Sequence, residues 1–261
     1  MARNSEVLFG FFFFILVLFF QHCEARIMDE KDIPIAQVTL EREELDDARL
    51  LIEKHDIRMT VREAALLIRE LKNVNGTYFE FGMGGSTNFA CEVLSARGDQ
   101  ARVVAVDSSE EWVSKVASER CFRALRARGR ADLSAVDIGP TRTWGYPVGR
   151  AAQGRWADYP AALPRLVAPG AADLVLVDGR FRVACVLAAF LHQPRAAVLV
   201  HDFYDRRHHQ TYGRLLRRGG GGAAPAAVAA RADTLVRLER NAAVGDAELR
   251  RLLELAVADP S

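Results

Sequence analysis

From about residue 78 onward the chain carries short runs that are apolar at every position, and these constrain its fold more than anything else in it. Val103-Val104-Ala105-Val106 and Leu174-Val175-Leu176-Val177 show no alternation of apolar and polar residues. A strand with one wet face alternates, whereas a strand covered on both faces does not, and double coverage is the mark of a parallel sheet with helices above and below it. Strands are expected at 78–81, 102–106, 133–138, 173–177, 197–200 and 234–238. Between them lie helical stretches at 86–96, 109–128, 159–166, 181–191 and 204–217, and a last helix is expected at 247–257. Two more helices fall between 41 and 71, the second with Val61, Ala64, Ala65, Leu67 and Ile68 on one face. This alternation predicts an α/β domain, a doubly wound, mostly parallel sheet with helices on both faces. Gly219 to Gly222 and the Ala-rich residues after them read as a low-complexity surface loop.

Half of the 261 residues are hydrophobic and 26% are charged, enough to bury a sizeable core and too apolar for a disordered chain. Lys and Arg number 35 against 34 Asp and Glu, a formal net charge of +1. No global field attracts nucleic acid or an acidic membrane, so partners belong to local sites. Residues 7–20 form a Phe-rich apolar run preceded by Arg3 and followed by Cys23-Glu24-Ala25, the pattern of a secretory signal cut before Arg26. Fourteen residues are short for a bilayer core, which needs roughly 20. The other reading is an uncleaved signal-anchor, with membrane attachment through this segment alone. Both place the protein in the secretory pathway, lumenal or secreted, unless a plastid address lies behind the run. The expected organisation is a leader over 1–25, a helical extension over 26–72 and the main domain over 73–261.

Loss of the leader removes Cys23 and leaves Cys91, Cys121 and Cys185 on three separate predicted helices. No disulfide framework or zinc spacing is evident, and the three read as small buried hydrophobes. Asn75-Gly76-Thr77 is a glycosylation sequon beside a predicted strand.

The most informative segment is Glu80-Phe81-Gly82-Met83-Gly84-Gly85-Ser86-Thr87. A strand enters three glycines within four residues and then Ser and Thr, which suit the start of a helix. Glycine lets the backbone turn sharply and lets a ligand approach without a Cβ in the way, and the helix end offers free N–H groups to an anion. Asp107 ends the next strand, where a carboxylate accepts hydrogen bonds from a ribose diol. Together they describe a site for an adenosine-bearing cofactor. Thr87 stands where a dinucleotide fingerprint wants glycine, and Glu80 would repel a pyrophosphate but suits a tail with an ammonium group. No Lys follows Lys115, which disfavours a short-chain dehydrogenase.

This segment resembles motif I of class I S-adenosylmethionine-dependent methyltransferases, Rossmann-like enzymes that include O-methyltransferases. The resemblance spans about residues 77–238 and rests on the glycine loop, Asp107 and Asp173-Leu174-Val175-Leu176-Val177-Asp178-Gly179. It implies S-adenosyl-L-methionine held by Glu80, Gly82, Gly84, Gly85, Ser86 and Asp107, with Ser86 donating to the cofactor carboxylate and Asp137 near the adenine. Asp137 also reads as a plain solvated strand-end acid. The family's sheet ends in a strand hairpin, and only one strand is clear after the fifth.

In an open parallel sheet, ligands bind beyond the carboxyl ends of the strands. Asp178 follows the fourth strand and His201-Asp202 the fifth; if these strands are neighbours, the acids share a crevice. Asp178 and Asp202 could then hold a divalent cation such as Mg through hard oxygen ligands, and the resemblance implies a metal at these strand ends in some O-methyltransferases. Without a metal, His201 could be the general base. Arg180 and Arg182 flank Phe181; one of them is expected to reach a substrate anion and the other to stand in solvent. Trp144 and Tyr146 lie in a loop that either walls the pocket or packs on the sheet edge. The cluster Arg206, Arg207, His208 and His209 reads as a solvated face. The expected activity is methyl transfer to an unidentified acceptor, a small molecule or glycan and by preference a hydroxyl, with Asp178, His201 and Asp202 as catalytic candidates. Two other readings stay open, a non-catalytic module of the same fold and an NAD(P)-dependent oxidoreductase.

Overall fold

In the computed structural model, described over residues 38–96, 101–204, 209–216 and 223–261, the central strands are buried on both faces and the two edge strands are only partly covered. Seven strands form one sheet in the order β3-β2-β1-β4-β5-β7-β6. They are β1 (Thr77–Phe81), β2 (Arg102–Asp107), β3 (Ala131–Ala135), β4 (Ala172–Val177), β5 (Ala197–Val200), β6 (Ala226–Ala232) and β7 (Leu235–Arg240). The first five are mutually parallel, β7 runs antiparallel to β5, and β6 pairs antiparallel with β7 at the edge. The chain order reverses between β1 and β4, and this switch point opens the crevice at the carboxyl edge.

The period of two along each strand sends alternate side chains into two cores. Phe79, Phe81, Val104, Val106, Val175 and Val177 enter one. It is closed by α6 (Ala162–Leu166), α7 (Arg182–His192), α8 (His209–Leu216) and α9 (Asp246–Ala256). Tyr78, Val103, Ala105, Leu174 and Leu176 enter the other, beneath α1 (Arg42–His55), α2 (Val61–Leu71), α3 (Gly85–Ala96), α4 (Glu110–Ser118) and α5 (Arg120–Ala127). The N-terminal helices are therefore part of the core: Ala64, Ala65, Leu66, Leu67 and Ile68 of α2 are all buried against the sheet side. Thr60 caps α2 by accepting from the Glu63 amide, while the Glu63 carboxylate accepts from the Thr60 amide, a reciprocal capping box.

Four expectations need correction. The third strand spans Ala131–Ala135 and not 133–138; its register with β2 stops at Asp107 opposite Ala135, and Val136 and Ile138 turn into the core from the following loop. Apolar content alone could not tell those two from strand residues. The helix expected over 109–128 is two helices, broken at Glu119, whose extended backbone serves as the C-cap of α4 and the N-cap of α5. The Ala-rich stretch holds β6, the missing partner of the terminal hairpin. Its tight connection places Asp233 at φ 49°, a left-handed position that Asp tolerates. Finally, Cys91 on α3 and Cys121 on α5 form a disulfide, with Cα atoms 6.2 Å apart. Separate helices had argued against pairing, but both pack on the same face of the sheet; Cys185 is buried and free, as expected. The leader, Gly219 to Gly222 and residues 206–208 lie outside the described residues. Among those described, no helix is long and apolar enough to cross a membrane.

Candidate active site at the carboxyl edge of the sheet

The glycine turn is fitted to the neighbouring loop. Gly82 has φ 95°, and a Cβ on it would lie 2.7 Å from the Gly179 amide nitrogen, so the turns after β1 and β4 touch backbone to backbone. A Cβ on Gly85 would strike the carbonyl oxygens of His55 and Asp56, where the chain leaves α1. Nothing lies within 4 Å of the corresponding position on Gly84, which leaves the middle of the turn open to a ligand.

Asp107 is aimed at this turn. Its carboxylate accepts from the Met83 amide at 2.8 Å and from the Ser109 amide at 2.8 Å, so it closes the crevice opposite the glycines. Burial raises its pKa, against the pull of these amide donors and the more distant Arg180 charge. Glu80 lies fully buried on the α3 side of β1. Its oxygens accept from the Tyr78 hydroxyl at 2.9 Å and the Ser86 hydroxyl at 2.6 Å. Burial pushes its pKa up to about 8 despite those donors, so the carboxyl is largely neutral at pH 7. The expected anion is thus a protonated acid that fastens the start of α3, and Ser86 donates to it and not to open space. Asp137 is exposed and tied to the Gly139 amide and the Arg155 guanidinium.

Pairing of β4 with β5 brings Asp178, His201 and Asp202 together, with one ligand atom of each within 4.8 Å of the others. The geometry also includes Glu63, which the sequence did not announce, and Arg182, which it offered only as a substrate or solvent group. Glu63, from the first turn of α2, is buried and lies 3.5 Å from His201 Nε2, while it accepts from the Thr234 amide and hydroxyl. Arg182, 2% exposed, spans 3.3 Å contacts to both Asp178 and Asp202 and donates to the His201 carbonyl. His201 Nδ1 is 3.0 Å from Asp178. Burial would lower the His201 pKa, but Asp178, Glu63 and Asp202 overcome it and push it up to about 10. The Glu63 carboxyl is held down at about 2, where its hydrogen bonds and His201 outweigh burial. Burial alone would raise Asp178 too, yet His201 and the arginines lower it.

These contacts bear on both expected roles. The acids around His201 favour its protonated form, in which both ring nitrogens donate and neither offers a lone pair. Arg182 already supplies a cation to both carboxylates, so a divalent ion at Asp178, His201 and Asp202 would have to displace the His201 proton and compete with the Arg182 guanidinium. Arg182 is buried, not solvated as the sequence allowed for one of the two arginines, and Arg180 is buried as well. The signal for Arg182 was its i,i+4 spacing from Asp178; Glu63 gave none, because its role depends on α2 docking beside β5.

The loop after β3 reaches back across this edge. Trp144 is 72% exposed with φ 65°, whereas the Tyr146 ring lies 4.2 Å from the Arg180 guanidinium. Phe181 and Asp202 also take left-handed backbone angles, at 54° and 53°. Strained non-glycine residues gathered at one strand edge accompany functional sites more often than plain scaffold.

No protein-family model and no curated protein matches the sequence. Among solved structures, the chain is similar to a methyltransferase-like protein of Silicibacter pomeroyi, at 28% identity and TM-score 0.57, over 79% of this chain and 98% of that one. It is also aligned with the methyltransferase PaMTH1 of Podospora anserina, solved with S-adenosylhomocysteine, at 11% identity and TM-score 0.48, over 92% and 98% of the two chains.

Proposed function

We infer from this fold, which is that of the class I S-adenosylmethionine-dependent methyltransferases, that the chain is an enzyme that binds S-adenosylmethionine at the carboxyl edge and passes its methyl group to a small-molecule acceptor. The observation that carries the reading is the Asp107 carboxylate facing the open glycine turn at Gly84. Ribose hydroxyls fit beside Asp107, and the cofactor carboxylate fits the amides at the start of α3. The cofactor's ammonium group lies toward Glu80, whose proton leaves as the cation arrives.

The acceptor atom is a hydroxyl oxygen beside Asp178. Its lone pair forms the new C–O bond, the S–C bond breaks with its electron pair passing to sulfur, and the hydroxyl proton passes to Asp178 or to solvent. The sulfonium is already a good leaving group, so alignment supplies most of the acceleration. His201 and Arg182 position Asp178 and Asp202 instead of reacting themselves. This reading needs no metal, and chelation by EDTA is expected to leave turnover unchanged. A loss of activity in EDTA that Mg restores would favour the cation reading, which the convergence of Asp178, His201 and Asp202 supports.

The test is mass spectrometry of ligand retained by the purified full chain, followed by calorimetric titration with S-adenosylhomocysteine. Asp107→Ala and Glu80→Ala are each expected to weaken binding at least about tenfold. Equal affinity in both variants would move the ligand elsewhere, and preference for NAD(P) would favour an oxidoreductase. Binding without methyl transfer to any component of a cell extract would favour a non-catalytic module.

We further propose a secretory-pathway location, with membrane contact only through the N-terminal segment if it is retained, and an acceptor that is a small molecule or glycan and not nucleic acid. The Cys91–Cys121 disulfide supports it, since such bonds persist in oxidising compartments. Asn75 is exposed at the amino edge of the sheet, opposite the crevice. An endoglycosidase-sensitive mobility shift, abolished by Asn75→Gln, is the expected sign of lumenal passage.

A further inference from the structure

Arg180 follows Asp178 at the end of β4 and is 6% exposed, yet its Nε and Nη1 atoms are buried with no hydrogen-bond partner among the described residues. The Tyr146 ring covers one face of the guanidinium at 4.2 Å, and this stacking does not use the in-plane donors at Nε and Nη1. Gly145 closes over it from the loop after β3: a Cβ there would lie 3.6 Å from Arg180 Cγ and 3.2 Å from Ser108 Oγ. The nearby acids do not fill the gap. Asp107 is engaged by the Met83 and Ser109 amides and Asp178 by His201 and Arg182, and no described carboxylate makes an ion pair with Arg180. Asp107 and Asp178 balance its charge from a distance, but buried N–H groups with no acceptor cost free energy, and native folds rarely keep them unless a ligand completes them.

We propose that Arg180 is the receptor for an oxyanion on the methyl acceptor, a carboxylate or phosphate placed away from the oxygen that is methylated. The planar fork of a guanidinium matches the paired oxygens of either group. The anion belongs to the acceptor and not to the cofactor because of place: the cofactor carboxylate has the amides at the start of α3, whereas Arg180 stands beside Asp178, where the acceptor docks. The substrate class is therefore a hydroxylated acid, and this assignment rests on the methyl-transfer reading above.

The test uses the full chain saturated with S-adenosylhomocysteine and titrated with benzoate, phenyl phosphate and benzyl alcohol as probes. Benzoate or phenyl phosphate is expected to bind and benzyl alcohol not. Arg180→Met is expected to weaken anion binding about ten- to a hundredfold and Arg180→Lys less, with S-adenosylhomocysteine affinity unchanged within about twofold. The melting temperature of Arg180→Met is expected to hold or rise, because buried unsatisfied N–H donors are removed; a fall would indicate a structural role and overturn the proposal. Equal binding of benzyl alcohol, or undiminished anion binding in Arg180→Met, would also overturn it. A parallel loss of S-adenosylhomocysteine affinity would assign Arg180 to the cofactor's own carboxylate, again against the proposal. If wild-type protein binds no S-adenosylhomocysteine, the functional reading fails, and the same anion titrations without cofactor still decide whether Arg180 binds an oxyanion.

Discussion

Glu80 shows how one buried atom pair changes a functional reading. As a letter in the sequence it is an anion two residues before a glycine turn; within the fold burial pushes its pKa up to about 8, and its hydrogen-bond partners among the described residues are neutral hydroxyls such as those of Tyr78 and Ser86. Arrival of the cofactor's ammonium group should ionise it and release a proton. Binding enthalpy measured at pH 7 in buffers of different ionisation enthalpy should therefore vary, and Glu80→Gln should remove that variation. The glycines divide in the same way. Gly82→Ala should cost about 2–4 kcal/mol, since it forces a Cβ into the Gly179 backbone at a positive φ. Gly84→Ala meets open space and should change stability by less than about 0.5 kcal/mol while weakening cofactor binding. Thermal melts and calorimetric titrations of the two variants separate a packing glycine from a ligand-facing one.

Elements bring together what sequence distance hides. Cys91 and Cys121 are 30 residues apart, and their bond ties α3, which begins at the glycine turn, to α5. Closure of a loop of that length contributes about 3–4 kcal/mol, so Cys91→Ser should lower the urea midpoint and wild-type protein in reductant should match it. The helix α2 has a larger part than a covering layer. Through Glu63 it reaches both Thr234, beside the β6–β7 turn, and His201 at the end of β5. Glu63→Gln keeps the shape but removes the charge facing His201; loss of one partner of a buried ion pair typically costs 3–5 kcal/mol. The pattern of apolar residues made α2 legible as a helix, and only its docking made Glu63 part of the site.

At the scale of the whole molecule, the buried groups set a pH profile. The folded pKa of His201, about 10, lies above its ordinary 6.5, so its contribution is complete below about 6.5 and is lost as pH rises through 10. Glu80 acts in the same direction, because its folded pKa of about 8 lies above 4.5 and the cost of ionising it is complete above 8. Glu63 is the reverse: its stabilisation is present above 4.5 and lost as pH falls through about 2. Urea unfolding should therefore show stability falling from pH 7 to pH 10, and His201→Gln should be weaker at pH 7 with a flatter alkaline limb. Taken alone, the sequence determined the doubly wound sheet, the glycine turn and the acid at Asp107, because a strand's burial and a turn's need for glycine are written in neighbouring residues. Tertiary structure alone decided that β6 completes the sheet and that Cys91 meets Cys121. It also decided that His201 is a clamped cation between Glu63 and Asp178, and that Arg180 is buried without a hydrogen-bond partner at two of its nitrogens. Charge state and pairing depend on which distant segments exclude water from a group, and that information is not local to any stretch of the chain.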